Sequence, residues 1–155
     1  MTKPILTILL VCFCASSVGA AERAAAPAIA AKAPATAALP FSEGVMAGDT
    51  FYVAGHIGVD PVTKKAALDP EVEARLVMES VKHTLEQAGL RIDDLVSVTV
   101  YCTDLDLYDK FNAVYRGFFH GRFPARAFIG VNKLVLGAHF EVAGIAAQQS
   151  SSRKP

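Results

Sequence analysis

Between residues 96 and 103 the chain alternates without a slip. Val96, Val98, Val100 and Cys102 fall on one side, and Ser97, Thr99, Tyr101 and Thr103 on the other. Successive side chains of an extended strand point to opposite faces, so this run is a strand with one apolar face. On both flanks the apolar period lengthens to that of a helix. Upstream, Asp69 can cap a helix that Pro70 opens, and Ala74, Val77, Met78, Val81, Leu85 and Ala88 form a single stripe that ends at Gly89. Downstream, residues 104–106 can cap a second helix running to about Phe119, with Leu107, Phe111, Val114, Tyr115 and Phe118 on one side. Gly121 and Pro124 then break it.

Two amphipathic helices enclosing a one-faced strand require a sheet on which both stripes are buried. Further extended runs supply it. Residues 44–47 and 50–55 read as strands joined by a Gly48-Asp49 turn, the second continuing over 56–60 into a turn at 61–65. Residues 126–132 and 139–147 are the last two strands, separated by 133–138. The order predicts an α+β domain with two helices on one face of its sheet. Nothing in a chain of 155 residues is left to cover the other face, so self-association is expected.

The ends are of a different character. Lys3 precedes the apolar residues 5–13, and Ser16-Ser17-Val18-Gly19-Ala20 makes a small-residue exit, so residues 1–20 read as a signal peptide cleaved after Ala20. That stretch is shorter than the roughly 20 apolar residues of a membrane span, and the mature chain is expected to be exported, periplasmic or secreted, and off the membrane. Residues 21–38, almost all Ala, Pro and small polar types, read as a flexible tether; 39–148 form the domain and 149–155 a disordered tail. Cys102 is then the single mature cysteine, which leaves no internal disulfide and fits a buried thiol. Fifteen basic against 15 acidic residues give no reason to expect a nucleic-acid partner. The four histidines have no metal-ligand spacing, and neither a nucleophile-elbow motif nor a phosphate-cradling glycine loop occurs, so no metal or cofactor is expected.

Several short segments resemble one family in order and spacing. They are Leu39-Pro40-Phe41-Ser42, Val53-Ala54-Gly55-His56-Ile57 with Asp60-Pro61, Glu86-Gln87-Ala88-Gly89-Leu90 and residues 98–105. Phe111-Asn112-Ala113-Val114-Tyr115, Phe118-Phe119, Phe123-Pro124-Ala125-Arg126-Ala127 and Glu141-Val142-Ala143 complete the set. Across 39–147 the chain is similar to the RidA/YjgF family. The resemblance implies a chorismate-mutase-like α+β domain with a mixed sheet, assembled as a barrel-like homotrimer with ligand clefts between subunits. It also implies hydrolysis of enamines and imines of small 2-oxo acids, of the 2-aminoacrylate and 2-iminopropanoate type, to keto acid and ammonia, without a cofactor.

Carried onto this sequence, the resemblance makes Arg126 and Glu141 the catalytic pair and puts Phe41, Ala54, Gly55, Asn112 and Phe128 around the substrate. A guanidinium matches a carboxylate with two parallel N–H donors, and a glutamate can hold and activate water. Gly55 matches a glycine where backbone nears the ligand. Phe41 stands where a tyrosine is usual, Ala54 replaces a serine, Phe128 a smaller residue and Ala143 a second acid, which implies a drier pocket. Two further readings stay open on the residues alone. Arg126 also fits a structural ion pair at a subunit interface, and Glu141, out of phase with Phe140 and Val142, also fits a solvated strand position. The rival function is a non-catalytic extracytoplasmic trimer that binds small carboxylates or shields client proteins.

Overall fold

The computed structural model describes residues 27–30 and 39–148. The expected signal peptide over 1–20 and the tail over 149–155 lie outside the described residues. Among the described residues six strands form one sheet: β1 (Ala28–Ala30), β2 (Ser42–Ala47), β3 (Thr50–Ile57), β4 (Leu95–Cys102), β5 (Ala125–Gly130) and β6 (Phe140–Ala147). Helices α1 (Pro70–Gln87) and α2 (Tyr108–Arg116) lie on one face, which makes the fold α+β. The spatial order is β1-β2-β3-β6-β4-β5, antiparallel throughout except for β4 and β5. The last two strands therefore do not form a hairpin. β6 inserts between β3 and β4, and β5 runs parallel to β4 on the sheet edge. A parallel neighbour needs a crossover, and α2 is that crossover.

Local chemistry explains the boundaries. The Asp69 carboxylate accepts from Glu71 N at 2.8 Å and Val72 N at 3.2 Å, with Pro70 at the first helical position. At the other end Gly89 adopts φ +76°, and Leu90 N donates to Leu85 O at 2.9 Å, which closes the last turn with a left-handed cap. The second helix is shorter than its apolar pattern predicts. Residues Leu105–Leu107 form a 3-10 turn before it, and Gly117 N and Phe118 N bond back three residues, tightening the chain out of the α-helix after Arg116.

One expectation is corrected outright. Part of the segment read as a flexible tether is strand β1, paired with β2 so that Ala28 lies opposite Val45 and Ile29 opposite Gly44. Backbone pairing makes no demand on side-chain identity, and Ile29 adds the apolar contact, packing against the core. An alanine- and proline-rich composition hides such a strand.

The core between sheet and helices contains Phe51, Val53, Val98, Val100, Phe140 and Val142 from the strands and the predicted stripe of α1. Cys102 is buried there as expected, its thiol donating to Asp104 O at 3.0 Å and its pKa raised by burial. Two polar groups enter as well. His56 is buried at the β3–α1 contact, its Nδ1 2.8 Å from Ser80 Oγ, and burial lowers its pKa below 6.5. Glu73, fully buried on α1, accepts from His139 N at 2.7 Å and Phe140 N at 2.9 Å, and its second oxygen bonds His139 Nδ1. It therefore ties the start of β6 to the helix layer. The opposite sheet face, with Tyr52 49% and Ile129 41% exposed, has no covering element among the described residues.

Two tests follow from the buried polar pair. Glu73→Ala strands two backbone N–H donors and is expected to lower the unfolding free energy by about 3 kcal/mol or more in urea titrations. The neutral His56 form stabilises the fold above pH 6.5 and loses that contribution as pH falls toward its lowered folded value. The urea midpoint is expected to drop between pH 7.5 and 5.5 (about one unit either side of the ordinary histidine value), with a shallower drop in His56→Gln.

Candidate functional site

Strand β5 is aligned with β4 so that Arg126 sits beside Val98 and Phe128 beside Val100. Val98 and Val100 are buried under the helices, so Arg126 and Phe128 project to the helix side of the sheet, at its edge. There α2 presents Tyr108, Asn112, Tyr115 and Arg116, which fall on one helix face at three- and four-residue spacing. Arg126 donates from Nη2 to Asn112 Oδ1 at 2.8 Å. Its guanidinium carbon lies 4.6 Å from the Tyr115 ring centre, 5.6 Å from that of Phe128 and 5.8 Å from that of Tyr108. Each ring face attracts a cation by about 0.5–2 kcal/mol, so the side chain is steered without being neutralised. No carboxylate lies within ion-pair distance of Arg126 among the described residues.

The rings also hold one another. Phe128 meets Tyr108 edge-on at 4.9 Å and Phe111 at 5.6 Å, which fixes the wall beneath the guanidinium. An open cleft of about 260 Å³ results, lined by Tyr108, Asn112, Tyr115, Arg116, Phe123 and Arg126. The Tyr115 hydroxyl is buried beside it and has no hydrogen-bond partner among the described residues. Burial pushes its pKa up to about 12 against the downward pull of Arg126, so it keeps its proton and can only donate or accept as a neutral group.

The remaining predicted residues are elsewhere. Glu141 is opposite Ile57 on β3 and Tyr101 on β4, between the inward-facing Phe140 and Val142, so it projects from the uncovered face. A β-bulge between Val53 and His56 carries Ala54 and Gly55 past it. A Cβ on Gly55 would stand 2.0 Å from Glu141 Oε1. The sequence reading gave Gly55 the task of admitting a ligand; the structure gives it a nearer one, making room for this carboxylate. Phe41, 55% exposed, leads into β2. β3 is three strand steps from β5 and β2 is four, or roughly 14 and 19 Å at about 4.8 Å per step. One chain thus brings Arg126, Asn112 and Phe128 together, and separates them from Phe41, Ala54, Gly55 and Glu141 by distance and, for Glu141, by the sheet itself.

Tyr108, Tyr115 and Arg116 were not singled out as site residues from the sequence, where Tyr115 reads as core. Their signal was present in the spacing from Asn112, which puts all of them on one helical face.

An α+β domain with an unneutralised arginine at its sheet edge has many relatives of known sequence and structure. Residues 30–148 match the model of the Endoribonuclease L-PSP family. The chain is 36% identical over 113 residues to a 2-iminobutanoate/2-iminopropanoate deaminase of Salmonella typhimurium, covering 71% of this chain and 88% of that protein. It is 38% identical over 108 residues to a RutC family protein of Saccharolobus solfataricus, covering 69% and 86%. Among solved structures, the YjgF gene product of E. coli superposes with a TM-score of 0.68 at 33% identity, covering 79% of this chain and 94% of that one. E. coli TdcF with bound serine gives 0.68 at 31% identity, with the same coverage. The chain belongs to the Endoribonuclease L-PSP family, the RidA/YjgF proteins.

The unpartnered hydroxyl gives a direct test. Tyr115→Phe removes a buried polar group with nothing to bond, so the ligand-free protein is expected to be as stable as wild type or more stable by about 1 kcal/mol, read from urea unfolding.

Proposed function

We propose that the protein hydrolyses enamines and imines of small 2-oxo acids, in an exported homotrimer whose clefts each join two copies. The observation that carries this reading is Arg126, oriented by Asn112 and three rings and without a carboxylate partner among the described residues. A guanidinium so held is a ready anchor for the carboxylate of a small planar acid. The 36% identity to a named imine deaminase supports the chemistry, and the likeness to TdcF with bound serine supports a ligand of amino-acid size.

The separation of Arg126 from Glu141 supports sharing between copies, since no single copy can bring both to one small ligand. The uncovered sheet face, with Tyr52 and Ile129 exposed, is the surface such an assembly would bury. In the proposed reaction Arg126 fixes the substrate carboxylate and Glu141 of a neighbouring copy takes a proton from water as its oxygen adds to the imine carbon. That proton passes to the nitrogen to give the carbinolamine. The proton of the added hydroxyl then moves to nitrogen as the carbonyl forms and the carbon–nitrogen bond breaks, so that keto acid and ammonia leave. An enamine substrate first tautomerises to the imine. Asn112 keeps the guanidinium in place, and Gly55 leaves the space in which Glu141 stands. Cleavage after Ala20 would put this activity outside the cytoplasm.

The substitutions Phe41 and Ala54 remove hydroxyls that the family's pattern has, which favours the second reading, capture of a small carboxylate without turnover. Iminopropanoate generated by an amino-acid oxidase separates the two. The purified protein is expected to accelerate its decay, and Arg126→Ala and Glu141→Gln each to lower kcat/KM by about 100-fold or more. Mixing those two variants by co-refolding is expected to restore about a quarter of wild-type activity, because some interfaces then combine an intact arginine with an intact glutamate. Absence of any acceleration by wild type leaves the binding reading, and absence of rescue in the mixture sinks the shared cleft. Gly55→Ala, which displaces only the end of the Glu141 side chain, is expected to lose activity while its urea midpoint stays near wild type.

A further inference from the structure

The cleft that holds Arg126 has a second guanidinium. Arg116 closes α2, is exposed, and lines the same cleft. It stands four residues after Asn112, the residue whose side chain carries the hydrogen bond to Arg126, and so lies one helical turn further along the same face. The rise over those four residues is about 6 Å. No carboxylate is within ion-pair distance of Arg116 among the described residues, and none lines the cleft. Two like charges lining one cleft repel, and no acidic side chain among the described residues lines the cleft to offset them. A cation in the last turn of a helix gains from the helix dipole, which accounts for a basic residue at this end but not for its position on the cleft-facing side.

We infer that the cleft selects dicarboxylic substrates, the imines of short 2-oxo diacids, with Arg126 on the carboxylate beside the reacting carbon and Arg116 on the distal one. The inference rests on the carboxylate-anchoring role proposed above for Arg126. A ligand with two carboxylates neutralises both guanidiniums, whereas a monocarboxylate leaves Arg116 uncompensated. The exposed position of Arg116 suits the far end of a ligand whose near carboxylate lies deeper, against the ring-held Arg126.

The test uses stable keto acids and the full chain. Affinities for 2-oxoglutarate and for 2-oxobutanoate are measured by titration calorimetry at low ionic strength, with wild type, Arg116→Gln, Arg116→Lys and Arg126→Ala. Wild type is expected to bind the diacid at least about tenfold more tightly, a gap that collapses in Arg116→Gln and is partly kept in Arg116→Lys. Arg126→Ala is expected to weaken both ligands. Equal wild-type affinities, or a preference that survives in Arg116→Gln, overturn the inference alone. If Arg126→Ala leaves both affinities unchanged, or if neither acid binds wild type, the anchoring role itself falls and takes the inference with it.

Discussion

A positive charge held in place without being cancelled sets the rest of this structure in order. Arg126 spends one N–H on the Asn112 amide oxygen and rests among three aromatic rings, none of which neutralises it. An acidic partner would have fixed the side chain more strongly and left it inert toward a ligand. The rings are in turn fixed by the core, since Phe128 and Tyr115 both pack on Phe111, which is itself in contact with Phe140. The guanidinium is therefore a rigid part of the domain, and its remaining donors face an open cleft.

The sheet decides what that charge can meet. Because β6 enters between β3 and β4, β5 is pushed to the edge and Glu141 is left two strands away on the opposite face. The same insertion is anchored by Glu73, whose carboxylate receives the backbone donors of His139 and Phe140, at the start of β6 and just before Glu141. Gly55, on the bulged strand alongside, clears the space for that side chain. Each half of the proposed site is thus built on rigid elements, and the two halves point away from each other within one copy. A second copy is the simplest way to join them, and it also answers the uncovered sheet face.

Much of this was legible in the residues. The alternation from Val98 to Cys102, the Asp69-Pro70 start and the Gly89 stop placed β4 and α1, because alternation, capping and left-handed glycine are local effects. Val96, read with the core face, is exposed instead, because a register shift between Leu95 and Ser97 turns Leu95 inward. The phase of Glu141 against Phe140 and Val142 gave its face. The rest depended on long-range geometry. Pairing of β1 depends on the open backbone edge of β2, and no side-chain pattern marks it. The burial of Glu73 depends on two N–H groups 66 and 67 residues away, so in the sequence it reads as an ordinary helix surface acid. Arg116 and the tyrosines of α2 are legible as one face of a helix, but what that face looks onto is decided by the parallel placement of β5.

Membership in the RidA/YjgF family gives the chemistry its class, while the side chains of this chain give the cleft its particular character, aromatic walls and two arginines. The most direct measurement is a crystal structure of the full chain with a 2-oxo acid bound. The expected result is a ligand carboxylate paired with Arg126 in a cleft closed by another copy, whose Glu141 reaches the 2-carbon through hydrogen-bonding distance or one water. An Arg126 locked against an acidic side chain of a neighbour, or a ligand bound away from it, would contradict the proposal whatever the assembly's shape.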